Sequence, residues 1–228
     1  MGLVIITGAN RGIGLGLVRH YVAVGRSVLG LCRLPEQAYA LREFADRGEG
    51  RLRVGAIDIA SDASVGAAAV GVSEPVDLLI NNAGIIAGQD QSLQGINTAE
   101  WLHAFNVNTL GAFRVTRAFL PHLRSARGKV LLVTSQLGAS TWPLGGYYAY
   151  ASSKAALNRV TRALAIDLRA EGISVACVHP GHVKTDMASP GAQLTPAESA
   201  AGIYAVAERL DLRTSGRFFT WAGEEHAW

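Results

Sequence analysis

Lysine is nearly missing from this 228-residue chain: Lys129, Lys154 and Lys184 are the only three. The net charge of +3 therefore rests on arginines, which are scattered along the chain and form no basic stripe, so no nucleic-acid partner is expected. Long apolar runs are absent too. Every hydrophobic stretch is cut short by Gly, Arg or Asp, and none is long enough to cross a bilayer. Cysteine is scarce: Cys32 and Cys177 lie within strand-like apolar runs, which reads as two buried free thiols rather than a disulfide or a metal site. No metal is expected. Only 17% of residues are charged against 49% hydrophobic, a balance that supports a large core and argues against disorder. No basic leader with a cleavage site opens the chain, and Ile6 stands where a myristoylation signal wants Ser or Thr, so the expected location is the cytoplasm.

What is present is an alternation. Short apolar runs at Leu3 to Thr7, Ser27 to Cys32, Leu52 to Ile57, Val76 to Ile80, Lys129 to Thr134 and Ile173 to Val178 read as parallel strands covered on both faces. Arg217 to Trp221 reads as the last strand. Helical patterns separate them: Gly12 to Val24, Pro35 to Arg47, Ala63 to Gly71, Thr98 to Leu123 and Tyr150 to Ala170. The repeat predicts an α/β fold with a doubly wound parallel sheet of about seven strands, helices on both faces, and a single domain over residues 1–228. Gly145-Gly146 and the stretch from Ala188 to Pro196 read as loops over a ligand site.

The first strand runs straight into a glycine-rich turn, Thr7 to Gly14, and then a helix. Such a turn lets backbone N–H groups and a helix N-terminus approach a pyrophosphate. Gly8 permits the tight turn, Gly12 the close approach and Gly14 the packing of helix on strand. After the second strand, where an NAD site usually places an acid, stands Leu31-Cys32-Arg33. Arg33 can grip a 2′-phosphate with its fork of donors, and Arg11 can approach from the glycine turn. NADP (as NADPH) is therefore the expected cofactor. Farther on, Tyr150 and Lys154 stand four apart on a predicted helix, so they share a face. A cation there is expected to lower the phenol pKa and make Tyr150 a general acid or base.

These motifs resemble the short-chain dehydrogenase/reductase family, whose members carry Thr-Gly-x-x-x-Gly-x-Gly at the first turn. The resemblance spans Thr7 to Trp228, and CVHPGHVKTDM, SPGAQLTPAESA and the closing Gly-x-x-x-x-x-Trp are similar to carbonyl reductases of the C-factor-like and sniffer-like kind. It implies a Rossmann-type fold and a catalytic set of Asn108, Ser135, Tyr150 and Lys154. By that resemblance, Ser135 bonds the substrate oxygen, Lys154 grips the nicotinamide ribose, and Asn108 holds a water in a proton relay. Fifteen positions separate Ser135 from Tyr150, more than in many members, so Ser140 remains a rival serine, as Asn106 does for Asn108. The implied cofactor contacts are Gly8, Asn10, Arg11, Gly12, Ile13 and Gly14; Arg33; Asp58 and Ile59; Asn82, Ala83 and Gly84; Tyr150 and Lys154; and Pro180, Gly181, Val183 and Thr185.

The expected reaction interconverts a carbonyl compound and its alcohol. Ile85, Ile86, Gln136, Leu137, Trp142, Tyr147 and the His182 to Met187 segment would line the substrate site, which suits an apolar or aromatic small molecule. A homodimer or homotetramer is implied, pairing through the helices at Thr98 to Leu123 and Tyr150 to Ala170. A cofactor-binding regulator with little turnover is the alternative; a broken catalytic set would favour it, and all four positions are filled.

Overall fold

A computed structural model describes residues 2–47, 50–88, 90–188 and 191–228. Seven strands form one parallel sheet: β1 (Leu3–Thr7), β2 (Val28–Cys32), β3 (Leu52–Ala56), β4 (Val76–Asn81), β5 (Lys129–Val133), β6 (Ser174–His179) and β7 (Phe218–Thr220). Their spatial order is β3-β2-β1-β4-β5-β6-β7, and every paired neighbour is parallel. The chain winds outward one way from β1 and then the other way from β4, so the switch point lies between those two strands.

The period of two along each strand sorts its side chains between two cores. In β1, Leu3 and Ile5 enter a cluster with Val65, Val115, Leu123 and Leu157, whereas Val4 and Ile6 join Leu17, Leu41 and Ile203 on the opposite face. Burying each such aliphatic side chain contributes roughly 1.5–3 kcal/mol. The first face is covered by α3 (Asp62–Val70), α5 (Ala112–Ala118), α6 (Leu120–Ala126) and α7 (Tyr148–Asp167). The second is covered by α1 (Gly12–Ala23), α2 (Tyr39–Arg47) and α8 (Pro196–Arg209). Cys32 and Cys177 are both buried free thiols.

Three helix expectations need correcting. The helix expected over Thr98 to Leu123 is broken: α4 (Thr98–Ala104) passes into a π-helical stretch, Phe105–Gly111, before α5, and α6 restarts after Phe119. Pro121 explains the restart, because it offers no N–H to an uninterrupted helix. The extra residue of a wide turn redirects the side chains within it, a device common at functional sites. The helix expected over Pro35 to Arg47 likewise starts as a 3-10 turn (Pro35–Gln37), with α2 following at Tyr39. The helix expected from Tyr150 begins two residues earlier, at Tyr148, and gives way after Asp167 to a 3-10 turn at Arg169–Glu171.

Helix α8 was not anticipated. Its signal is legible in retrospect: Thr195 caps the first turn and Glu198 reaches back to complete a capping box, with Pro196 at the first helical position. The loop expected over Ala188 to Pro196 closes on itself through a bridge between Val183 and Leu194. Ser189 and Pro190, within that stretch, lie outside the described residues.

Candidate active site

A cleft of about 990 Å³ opens at the carboxyl ends of the strands, across the β1/β4 switch point. It lies at the upper end of the usual range for ligand pockets, which leaves room for a large cofactor and a small substrate together. Every catalytic, cofactor and substrate candidate lines it except Asn108. The expected glycine turn forms one wall. Gly8 has a φ of +66°, which a side chain would strain, and a Cβ on Gly14 would collide with the Gly8 carbonyl. The turn is braced by β4: Asn82 Nδ2 donates to the carbonyls of Thr7 (3.0 Å) and Gly8 (3.2 Å), and Thr7 Oγ1 accepts from the backbone N–H of both Asn82 and Ala83.

The N-terminus of α1 differs from its neighbours. Helices α3, α4 and α8 are capped by the side chains of Ser61, Asn97 and Thr195, and each has an acid in its first turn. Helix α1 has neither. Its first N–H groups and the positive end of its dipole face the cleft undiminished, as an anion site requires.

At the end of β2, Arg33 is exposed and makes no ion pair or side-chain hydrogen bond among the described residues, and Leu34 and Gln37 continue the wall. Glu36, the nearest acid, does not line the cleft. Arg11 lines the same cleft. Its guanidinium pairs with Asp186 on the segment after β6. Asp58 is exposed, and its Oδ1 accepts from the Ala60 N–H at 3.0 Å.

The opposite wall carries the candidate catalytic groups. Ser135 follows β5 and its Oγ accepts from the Leu137 N–H at 3.2 Å. Its hydroxyl is also the polar group that interacts with the Tyr150 phenol. Ser140 faces away from the cleft: its hydroxyl donates to the Trp228 carbonyl at 2.8 Å. Lys154 is only 4% exposed, with Nζ donating to the Val133 carbonyl at 2.9 Å and lying 5.8 Å from the Tyr150 ring centroid.

Asn108 stands behind this wall in the π-helical stretch. Its Oδ1 accepts from the Ile85 N–H at 2.8 Å, while Nδ2 donates to the Ile85 carbonyl and to Ser153 Oγ, both at 2.9 Å. Gly84 lets the three elements converge: a Cβ there would sit 3.1 Å from Asn108 Oδ1 and 3.3 Å from Lys154 Nζ. Asn106 is spent elsewhere, its Oδ1 accepting from Arg114 at 2.7 Å.

The electrostatics correct one expectation. The Tyr150 phenol is pushed above its ordinary value by burial, and the Ser135 contact pulls it only part of the way back. The ammonium of Lys154 does not offset this, because burial makes that group lose its proton at lower pH than the phenol does. Burial takes Lys154 down to about 8. The native state thus disfavours the charged lysine relative to the unfolded chain, at a cost fully present below pH 8 and relieved as pH rises toward 10.5. Lys154→Met is accordingly expected to melt several degrees above wild type at neutral pH, with the gap narrowing above pH 8. Thermal melts of both proteins across that range check this; a Met variant less stable at every pH would refute it.

Sequence reasoning missed several lining residues, among them His103 on α4, Leu144, and His179 at the end of β6. Burial and the neighbouring His226 lower His179 to about 4, and its Nδ1 accepts from the Gly181 N–H at 3.2 Å. His179 stands just before the Pro180-Gly181 turn, which could have marked it. Among the described residues, no helix is long and apolar enough to cross a membrane.

Residues 2–193 match the short chain dehydrogenase family model. The chain belongs to that family. Among curated relatives, the C-signal protein of Myxococcus xanthus is 44% identical over 156 residues, covering 68% of this chain and 93% of that protein. Among solved structures, the NADPH-bound carbonyl reductase from chicken fatty liver superposes with a TM-score of 0.92 at 32% identity, over 99% of this chain and 94% of that one. The carbonyl reductase Sniffer of D. melanogaster superposes with a TM-score of 0.93 at 29% identity over the whole of both chains. The resemblance to C-factor-like and sniffer-like proteins is thereby borne out, as is the Rossmann-type sheet.

Proposed function

We propose that this short-chain dehydrogenase is an NADPH-dependent carbonyl reductase acting on an apolar or aromatic carbonyl compound. One observation carries the reading: Ser135, Tyr150 and Lys154 converge on the same cleft as an uncapped helix N-terminus and a free Arg33. The NADPH-bound chicken enzyme supports the cofactor choice. The glycine turn and the first N–H groups of α1 would hold the pyrophosphate, Arg33 would hold the 2′-phosphate, and Pro180, Gly181, Val183 and Thr185 would border the nicotinamide end. When bound, the cofactor supplies hydride to the carbonyl carbon.

Tyr150 and Ser135 hold the carbonyl oxygen, and Tyr150 delivers the proton as the alkoxide develops. Tyr150 is protonated at neutral pH, as any phenol is, and burial reinforces that, so it can serve as the proton donor when the carbonyl is reduced. Lys154 would hold the ribose of the bound cofactor and return a proton to the Tyr150 phenolate. A relay through Asn108 has one Oδ1 lone pair left for a water, since both amide hydrogens are committed to protein partners. Ile86, Leu137, Trp142, Tyr147 and Met187 exclude water and select an apolar substrate. The chain acts as a single domain. Exposed Leu102, Leu110 and Phe113 near α4 and α5, with Ile166 on α7, support self-association across those helices.

A panel of aromatic and aliphatic carbonyl compounds, assayed by NADPH consumption, tests the reading; no turnover across the panel would overturn it. With any reduced substrate, Ser135→Ala should cost about a hundred-fold in kcat, the scale of losing one donor to a developing oxyanion. Ser140→Ala should leave kcat within about two-fold, because its hydroxyl serves the Trp228 carbonyl. The reverse ranking would reassign the serine.

A further inference from the structure

Helix α7 carries both Tyr150 and Lys154, yet it begins without a cap of its own. Gly145 and Gly146 lead into Tyr147, which occupies the N-cap position in a left-handed conformation (φ 52°) and offers no side-chain hydrogen bond. The first N–H groups of a helix need partners from elsewhere. For Tyr150 that partner is remote in sequence: its N–H donates to Oε1 of Gln91 at 3.1 Å, across 59 positions.

Gln91 is a buried polar side chain, 8% exposed, in the segment between β4 and α4. Its Nε2 donates to the Ala87 carbonyl, so both ends of the amide are used. The other side of the Tyr150 residue is held too. Its carbonyl accepts from Ser153 Oγ at 2.7 Å, and that oxygen in turn accepts from Asn108 Nδ2. Tyr150 is thus gripped at its N–H by Gln91 and at its C=O by the Ser153–Asn108 pair. Gln91 also borders a second cavity of about 740 Å³ beside Ile86, Tyr147 and Met187, contiguous with the proposed substrate wall.

We propose that Gln91 is a positioning residue for the reduction: by capping Tyr150 from outside its helix, it aims the phenol at the oxygen that Ser135 also holds. The kinetic part rests on the carbonyl-reductase reading. The segment also has apolar anchors of its own: Ala87 packs in a small cluster with Ala104 and Ala149, against Ile85, Ile96 and Trp101. Gln91→Met, close to isosteric, therefore removes the cap while leaving the fold in place.

In Gln91→Met, kcat should fall about ten-fold, since misplacement of a reacting group by about 1 Å costs up to a hundred-fold. KM for NADPH and for the carbonyl compound should stay within about two-fold of wild type. Gln91→Glu keeps the acceptor for the Tyr150 N–H but regains a donor for the Ala87 carbonyl only when its carboxyl is protonated, so kcat should recover toward wild type as pH falls. A Met variant with unchanged kcat and a lowered Tm, or a Glu variant as slow as the Met variant at every pH, would overturn the proposal. Amide exchange gives a readout that needs no substrate. The Tyr150 amide should exchange about five- to ten-fold faster in Gln91→Met, as expected for losing one hydrogen bond. Exchange unchanged from wild type would refute the cap itself. If wild type reduces no carbonyl compound, the functional reading fails, while the exchange measurement still decides whether Gln91 holds Tyr150.

Discussion

Tyr150→Phe should lose nearly all turnover while keeping the native circular dichroism spectrum and NADPH binding. The substitution deletes one hydroxyl and leaves the ring that packs in the cleft wall, so the loss reports on proton transfer rather than on folding. Removing a positioned general acid costs on the order of a hundred-fold to ten-thousand-fold in rate. The upper part of that range is expected here, because Lys154 Nζ is held by the Val133 carbonyl, and the Ser135 hydroxyl, a far weaker acid than a phenol, can hydrogen-bond the developing oxyanion without giving up its proton. Neither is poised to take over as donor. The pH profile supplies a second test. Burial raises the phenol pKa, so the protonated acid persists through neutrality and reduction should decline only in the alkaline range. Turnover within a factor of a few of wild type would remove Tyr150 from the mechanism.

The sheet was legible because buried parallel strands leave near-continuous apolar runs, and all seven strands were readable to within one residue at each end, including the three-residue β7 inside the expected Arg217 to Trp221. The break at Phe105–Gly111 was not legible, because a π turn leaves helical periodicity almost intact on either side and is stabilised by contacts remote in sequence. Ile59 is one such contact: a Cβ on Gly111 would meet its side chain at 2.9 Å. The same asymmetry governs the cleft. The glycine turn, Tyr150 and Lys154 are local motifs, so their places followed from spacing. The preference for Ser135 over Ser140 followed from its place at the carboxyl end of a strand; that Ser140 turns toward Trp228 could be read only from the fold. The expected effect of Lys154 on the phenol failed for a related reason. Helical spacing places the two side chains on one face, but it says nothing about how far burial has desolvated them both.

Arg33→Ala should weaken NADPH binding by about one to two decades while leaving NADH binding nearly unchanged. A charge-assisted hydrogen bond contributes roughly 1.5–3 kcal/mol, which converts to that range of dissociation constants. The two arginines considered for the 2′-phosphate are not equivalent. Arg11 is already paired with Asp186, so recruiting it to a phosphate means giving up that partner, and its net contribution is smaller. Arg33 has no ion pair to break among the described residues, and its exposed guanidinium can meet the phosphate at little cost beyond ordering its own side chain. Arg11→Ala should therefore cost less than Arg33→Ala. Asp186→Asn, by freeing Arg11, should tighten NADPH modestly. Dissociation constants for both cofactors, measured on wild type and the three variants at one ionic strength, give the comparison. A wild type that prefers NADH, or an Arg33→Ala variant that loses both cofactors equally, would show that the position after β2 does not read the 2′-phosphate.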